Sequence, residues 1–380
     1  MKTKILLLLM TFALSNSILT AQTNKFTDVL KIYLRDQGTI VEDGTIKEYY
    51  TFYNVEKADR KNNNYLLRIM DENLREVNTV TITRPASYNL LESAYNGSAF
   101  AFVFLDYKNK LIEIISFDKT CKQIGTKKMI DLTNKELYAY QSVGAGEENT
   151  TQTIFGVRGK GFLRITQEKK EKMGYDIEML NDELKSQGKT GSSPTTKKWL
   201  AASMLDFNEK NALLEINERD SGTDNDFTFR LQCIDLSTGK DLFNVPLTDP
   251  KFLLSNSNAT FDEANNQIGM LGEYYALSDK IASAKSLGFY AAYMGMDGQI
   301  KEKKFISWDK DVSKLIPVNE KGRFDNKAYV FFHKIARLED GKIYAIGEQF
   351  KKAASGAGIA MAVLNGGNGG ASVMKMVTLN

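Results

Sequence analysis

Residues Tyr65–Val77 have the sequence YLLRIMDENLREV, and variants of this stretch occur six times along the chain. An apolar segment leads to a polar tip at Asp71, and a second segment then continues into the alternating Val80-Thr81-Ile82. Apolar runs that flank a cluster of turn-forming residues are typical of a β-hairpin. The stretch therefore predicts a hairpin that the chain repeats.

The polar tips of the six copies are predicted at Asp71, Asp118, Asp182, Asp235, Asp297 and Asn365. Asp-Gly and Asn-Gly in the later copies supply the positive φ angles that tight hairpins require. The loose spacing of the tips favours an all-β fold, a β-propeller of about six four-stranded antiparallel blades. A large β-sandwich or barrel is the alternative, because hairpins also recur at short spacing in those folds.

The propeller interpretation predicts where the hairpin tips, the buried strands and the last strands of the ring should lie. The tips should share one face, because each of them joins the third and fourth strands of its blade. The apolar run AFAFVFL at Ala99–Leu105 predicts a strand buried on both faces. The last blade should take its third and fourth strands from Gly358–Leu364 and Ser372–Leu379, and apolar packing of this blade against the first should close the ring.

Three segments depart from the strand pattern. Thr133–Glu136 is a capping-box sequence, which predicts a short helical turn. Apolar spacing after Asp311 predicts a short amphipathic helix that ends at Pro317. The tract Ser186–Lys198 has the composition of a polar loop, interpreted either as solvated surface or as a flexible ligand-facing loop.

The N-terminus resembles a secretory signal peptide at residues 1–21. Lys2 and Lys4 precede the apolar run Ile5–Leu14, and Ala21 provides a small residue for cleavage before Gln22. An apolar run this short falls below the ~20 residues that span a membrane. We therefore expect a single propeller domain at residues 22–380, without membrane insertion, in a periplasmic, cell-surface or extracellular location.

Net charge and composition argue against some classes of function. The formal charge is +3, and removal of residues 1–21 with their two lysines lowers it to +1. Such a balance gives no electrostatic basis for binding nucleic acid or an anionic membrane. The content of 42% hydrophobic and 11% aromatic residues argues for packed sheets rather than disorder.

Catalytic and metal-binding motifs are scarce. The single histidine, His333, excludes multi-histidine zinc sets, and its strand YVFFHKI favours a structural role over a part in a Ser-His-Asp triad. Asp220, Asp224 and Asp226 lie close enough in sequence to chelate calcium, but an exposed acidic turn is the preferred interpretation. The glycine-rich stretches 356–358 and 366–370 border strands and cannot form a helix-terminus phosphate site. No catalytic, cofactor-binding or metal-binding residue is predicted.

The chain contains two cysteines, Cys121 and Cys233. Export permits a disulfide bond. However, the two residues belong to the second and fourth blades, and a bridge needs Cα atoms within ~7 Å. We therefore expect both thiols to be free.

The motifs YYTFYNVEKAD, YLLRIMDENL and KIYAIGEQFKK, together with the export signal, resemble an uncharacterised family of exported β-propeller-like proteins from Bacteroidota. The resemblance covers essentially the whole mature chain. It implies a location outside the cytoplasm but no activity, substrate or catalytic residue.

Two functions stay open. The leading hypothesis is a non-enzymatic binding or scaffolding propeller of unknown ligand, because loops on a rigid frame commonly bind ligands. A glycan or an envelope protein is its candidate partner. The alternative is a glycan-acting hydrolase that uses a pair of carboxylates from different blades. No cofactor is expected for either function.

Overall fold

A computed structural model describes residues 33–42, 44–132, 152–167, 174–192, 198–221, 226–281, 284–324, 329–337, 343–354 and 374–378. These residues form an all-β, propeller-like structure of five four-stranded sheets and one three-stranded sheet, all antiparallel and each built from consecutive strands. Six separate sheets agree with the predicted propeller and not with a two-sheet sandwich. The predicted signal sequence, the segment Thr133–Glu136, the predicted tip at Asn365 and the glycine-rich stretches lie outside the described residues.

The strands follow one another along the chain. The first two sheets comprise β1 (Tyr33–Glu42), β2 (Thr45–Lys57), β3 (Asn62–Asp71), β4 (Glu76–Pro85), β5 (Tyr88–Tyr95), β6 (Ala99–Asp106), β7 (Leu111–Asp118) and β8 (Gln123–Met129). The next two comprise β9 (Ile154–Val157), β10 (Gly161–Gln167), β11 (Tyr175–Leu180), β12 (Ser186–Gly191), β13 (Trp199–Phe207), β14 (Asn211–Arg219), β15 (Thr228–Asp235) and β16 (Lys240–Pro246). The last two comprise β17 (Phe252–Asp262), β18 (Gln267–Ala276), β19 (Gly288–Gly295), β20 (Ile300–Ser307), β21 (Tyr329–Arg337), β22 (Ile343–Ala354) and β23 (Met374–Thr378).

Each of the first four sheets packs on the next sheet along the chain. Aromatic side chains join the first two: the ring centroids of Phe52 and Phe102 lie 4.0 Å apart, with an interplanar angle of 19°. Every residue of β6 is buried, as its apolar sequence predicts, because neighbouring sheets cover both of its faces. Further apolar clusters join sheets two and three, three and four, and four and five. Stacking of this kind buries apolar surface that no single sheet could bury alone.

The first strands of consecutive sheets lie side by side, as β5 does with β9, β13 with β17, and β17 with β21. Carboxylates reinforce these contacts. Asp36 accepts the Ser93 hydroxyl at 2.6 Å, and Asp206 accepts the Thr260 hydroxyl and the Phe261 N–H, both at 2.8 Å. Glu92 likewise accepts the Thr153 N–H of the following sheet at 2.8 Å.

These three acids occupy the same place in their sheets. Asp36, Glu92 and Asp206 each come directly after a β-bulge in the pairing of the first strand with the second. A bulge re-aims the side chain that follows it. The acids therefore turn toward the next sheet, and a hydrogen bond to a charged group contributes about 1.5–3 kcal/mol.

The hairpins at Asp71, Asp118 and Asn181 have one geometry. In each, the first residue's side-chain oxygen accepts the N–H of the residue four positions later, with donor–acceptor distances of 2.8, 3.0 and 2.8 Å. The residue three positions later is left-handed: Leu74 (φ 59°), Cys121 (φ 63°) and Leu184 (φ 62°). A type I turn followed by a left-handed residue is a common hairpin connection. The third hairpin thus begins at Asn181, the first residue of the predicted tip Asn181-Asp182.

The five described tips lie on one face, as predicted. The second, third and fifth tips each contact the preceding sheet next to that sheet's own tip. Asn78 of β4 donates to the Lys119 carbonyl at 2.9 Å, and Ser116 of β7, which pairs with Gly125 of β8, donates to the Asp182 carbonyl at 2.6 Å. Phe243 of β16 lies against Gly298 in the same way. Consecutive hairpin tips therefore lie next to one another along the array of sheets.

The structure corrects two local predictions. The tract Ser186–Lys198 is not only a loop, because Ser186–Gly191 forms β12 and pairs with β11. Backbone hydrogen bonding to an existing sheet edge overrides the low strand propensity of its glycines. The predicted amphipathic helix before Pro317 is a 3₁₀ turn at Val312–Lys314.

The sixth sheet also differs from the prediction. β23 pairs directly with β22, so a segment predicted as the fourth strand takes the third position among the described residues. Gly358–Leu364 lies outside the described residues. Closure of the ring between the first and sixth sheets stays a prediction.

Candidate functional site: a cavity between the third and fourth sheets

A cavity of about 520 Å³ lies between the third and fourth sheets on the face that carries the tips. Residues from the β9–β10 turn, β10, β11, β12, β15 and the fourth tip line it: Gly159, Lys160, Leu163, Ile177, Met179, Gln187, Gly188, Lys189, Thr190, Ile234, Leu236, Ser237, Thr238 and Gly239. Its volume falls within the ~300–1,000 Å³ that is usual for small-molecule sites.

Two positions in each interface between sheets decide whether such a cavity exists. One is the fourth-strand residue just after the bulge at the hairpin; the other is the left-handed residue of the next tip. In the order of the interfaces, these pairs are Asn78 with Cys121, Gly125 with Leu184, Gly188 with Gly239, and Phe243 with Gly298. Among these four interfaces, only the third has glycine at both positions. That interface therefore lacks the side chain that fills the others.

The glycines of the third interface border open space. A Cβ atom at Gly188 or Gly239 would meet no atom within 4 Å. Gly125 differs, because a Cβ atom there would lie 2.5 Å from the Glu183 carbonyl oxygen. Glycine at position 125 permits close packing, whereas glycine at 188 leaves room.

The lining combines an aliphatic floor with a polar rim. Leu163, Ile177, Met179, Ile234 and Leu236 form the floor; Met179 is half-buried, and the other four belong to the buried core between the two sheets. The rim includes the exposed Gln187 and Lys189 of β12 and the exposed residues of the fourth tip, so the cavity opens to solvent. No carboxylate, histidine, cysteine or aromatic side chain occurs among these lining residues.

Charge in the lining comes from two lysines. The Nζ of Lys189 lies 2.5 Å from the carboxylate of Asp176, which offsets its charge. No carboxylate of the described chain forms an ion pair with Lys160. The cavity therefore carries a net positive charge at the β9–β10 turn.

The fourth tip is held rigidly beside the cavity. The carboxylate of Asp235 accepts the Ser237 hydroxyl at 2.5 Å and the N–H groups of Ser237 and Thr238 at 2.8 and 2.9 Å. These hydrogen bonds, led by the one from the Ser237 hydroxyl, lower the pKa of Asp235 to about 2. Both hydroxyl groups of the tip use their protons on Asp235 and present acceptor lone pairs elsewhere.

A second polar cluster is buried between the fourth and fifth sheets. Burial raises the pKa of Glu215 to about 7, although the Asn256 N–H hydrogen-bonds to it. Tyr290, which is fully buried, lies close enough for Glu215 to raise the pKa of its phenol further. Gly272 makes room for this ring, since a Cβ atom there would lie 2.6 Å from Tyr290 Cε1. Because Tyr290 is fully buried, its phenol cannot contact a substrate.

The candidate calcium ligands and the histidine considered in the sequence analysis do not form a site among the described residues. Asp220 pairs with Lys198 at 2.5 Å, and Asp224 lies outside the described residues. Within the described ranges no group of three or more histidine, cysteine or acidic side chains could hold a metal ion. His333 lies at a register shift in β21, between Phe332 and Lys334.

The cysteines are separate, as predicted. Cys121 and Cys233 are free and buried, in the clusters between sheets one and two and between sheets four and five. Burial raises the pKa of Cys121 to about 11 and that of Cys233 to about 12. Both thiols are therefore protonated and unreactive at neutral pH.

No helix in the described part of the chain is both long and apolar enough to cross a membrane.

Comparison with known proteins gives a family and a distant structural similarity. No curated protein matches the chain in sequence. A mutant of apocarotenoid oxygenase from Synechocystis matches with a TM-score of 0.36 and 8% identity, over 66% of this chain and 56% of that chain. The cobalt-substituted form of the Synechocystis enzyme matches with a TM-score of 0.36 and 8% identity, over 68% and 61%.

The chain spans less than two thirds of the length of those structures, and TM-scores this low say nothing about its function. The sequence match is more definite, because one family model covers residues 1–380. The chain belongs to a family of unknown function, DUF6770.

Proposed function

We propose that the protein is an exported, non-enzymatic binding propeller whose ligand occupies the cavity between the third and fourth sheets. The observation that carries this proposal is the lining, which combines aliphatic side chains with Lys160, a lysine that no described carboxylate pairs with, and contains no carboxylate, histidine or cysteine side chain. The flanking sheets supply a rigid frame. The interpretation of Ser186–Lys198 as a ligand-facing segment is supported by Gln187–Thr190 in the rim.

The hydrolase alternative has less support. Glycosidases need two carboxyl groups on either side of the scissile bond. The cavity lining contains no carboxylate. Asp36, Glu92 and Asp206 each hold the following sheet by hydrogen bonds, which accounts for them structurally.

Replacement of Gly188 by phenylalanine should close the cavity and leave the fold intact. The φ angle of Gly188 is not left-handed, and its Cβ would meet open space, where Phe243 fills the equivalent position of the next interface. Burying the ring should raise the free energy of unfolding by about 1–3 kcal/mol. The fluorescent amphiphile 8-anilinonaphthalene-1-sulfonate should bind the wild-type protein saturably and fail to bind Gly188→Phe, as measured by fluorescence titration.

Val77→Phe is the matched control, because Val77 is an exposed residue next to the equivalent position in β4. This variant should bind the dye as the wild type does. Equal dye binding by Gly188→Phe, with a native circular dichroism spectrum, would contradict the proposed site. Hydrolysis of a glycan by the purified protein would favour the enzyme instead.

Export predicts that the mature protein starts at Gln22 without a lipid. The basic start, the short apolar run and Ala21 motivate this expectation. Intact-mass measurement of protein recovered from the native cell envelope or medium should give the mass of residues 22–380. A retained N-terminus or an added acyl mass would contradict it.

A further inference from the structure

We infer that the ligand of the cavity is a monoanionic aliphatic amphiphile, whose acidic group binds at Lys160 and whose alkyl chain lies on the floor. This inference rests on the proposed function and specifies the class of ligand. It follows from the distribution of aliphatic, polar and charged groups around the cavity.

The floor selects against polar ligands. Its five side chains, Leu163, Ile177, Met179, Ile234 and Leu236, contain no hydrogen-bonding group apart from the weakly accepting thioether. A saccharide placed there would bury hydroxyl groups without partners, which is costly. The lining also has no aromatic ring on which a sugar face could stack. An alkyl chain loses nothing by this contact and gains from leaving water.

The rim selects for one negative charge. Lys160 lies in the turn between β9 and β10, and no described carboxylate pairs with it, whereas Lys189 is held by Asp176. An acidic group near Lys160 would therefore meet an uncompensated cation. A second charge on the ligand would have to displace Asp176 from Lys189.

The remaining rim groups suit a carboxylate in water. Gln187 carries an amide N–H₂ that can donate, and the ligand's acidic group can stay hydrated, because this part of the rim is exposed. The hydroxyl protons of Ser237 and Thr238 are already committed to Asp235. The acidic group is thus directed toward Lys160 and Gln187 rather than toward the fourth tip.

Isothermal titration calorimetry with hexanoate, octanoate and decanoate tests the chain, and decanamide tests the charge. Affinity should rise about fourfold for each methylene that the floor buries. Decanoate should bind several-fold more tightly than decanamide to the wild type. Lys160→Gln should remove this preference and keep the dependence on chain length, and Gly188→Phe should abolish binding of the whole series.

Lys185→Gln is the matched control, since Lys185 is an exposed lysine of the neighbouring hairpin that pairs with Glu183 and does not line the cavity. It should keep the preference for decanoate. Affinity that ignores chain length, or a preference for decanoate that survives Lys160→Gln, would overturn the inference.

The test separates failure of this inference from failure of the proposed function. If the dye binds the wild type but not Gly188→Phe, and decanoate does not compete with it, the site stands and the ligand class is wrong. If decanoate binds Gly188→Phe as tightly as the wild type, the site itself is wrong.

Discussion

Phe102→Asp is expected to abolish cooperative folding of the chain. Phe102 is fully buried in β6, stacks on Phe52 with centroids 4.0 Å apart, and contacts Phe117 edge-on. The substitution removes these contacts, at a cost of about 3–5 kcal/mol, and buries a carboxylate that has no cationic partner, which costs several kcal/mol more. Together these two costs are as large as the free energy of unfolding of many domains.

Circular dichroism and urea titration at neutral pH would measure this effect. Phe102→Leu is the matched variant, because it keeps an apolar side chain at the position and should stay folded with a smaller loss of stability. If Phe102→Asp retained a cooperative transition near that of Phe102→Leu, the packing of the first two sheets would not be as described.

The second large effect concerns pH and Glu215. Burial raises the folded-state pKa of this carboxyl group to about 7, from 4.5. Below pH 4.5 the group is protonated in both states and contributes no difference. Between these two values the unfolded chain releases the proton while the folded chain keeps it, so stability falls as pH rises. Above pH 7 the loss levels off at about 3 kcal/mol.

Glu215→Gln should remove this loss, because the amide has a similar shape and never ionises. Its free energy of unfolding should therefore exceed that of the wild type at pH 8 by up to about 3 kcal/mol and approach it at pH 4. Urea titrations across this pH range measure the difference, and Glu209→Gln, at an exposed turn, serves as the control. A wild-type advantage at pH 8 would show that Glu215 is ionised and stabilised in the folded protein.

The fold was largely predictable because its signals are local. Turn residues at Asp71, Asp118 and Asp235 mark hairpins in which neighbouring residues make the deciding hydrogen bonds. The run Ala99–Leu105 predicts a strand buried on both faces from its composition alone. Prediction of strands from sequence fails where tertiary contacts determine the conformation. The sequence SQGKTG of β12 forms a strand because it pairs with the free edge of β11.

The site was not predictable in the same way. The cavity exists because Gly188 and Gly239 come from different sheets and lie in one interface. Neither glycine differs in sequence from an ordinary turn residue. The signal appears only when the hairpins are aligned by the register of their strands, and that register includes bulges that the sequence does not reveal. Glu215 shows the same limit, since its burial depends on the neighbouring sheet.

In each interface, one residue of a fourth strand faces one tip residue of the next sheet. The space between those two sheets can therefore change without a change in the other interfaces. Neither side chain takes part in the backbone ladder, so a substitution at either position alters the space between two sheets without changing strand register. Gene duplication of such repeats followed by a change at one of these two positions would open a new chamber in an otherwise sealed array. Phe243, opposite Gly298, is the corresponding position at which a single change to glycine would place a chamber between the fourth and fifth sheets.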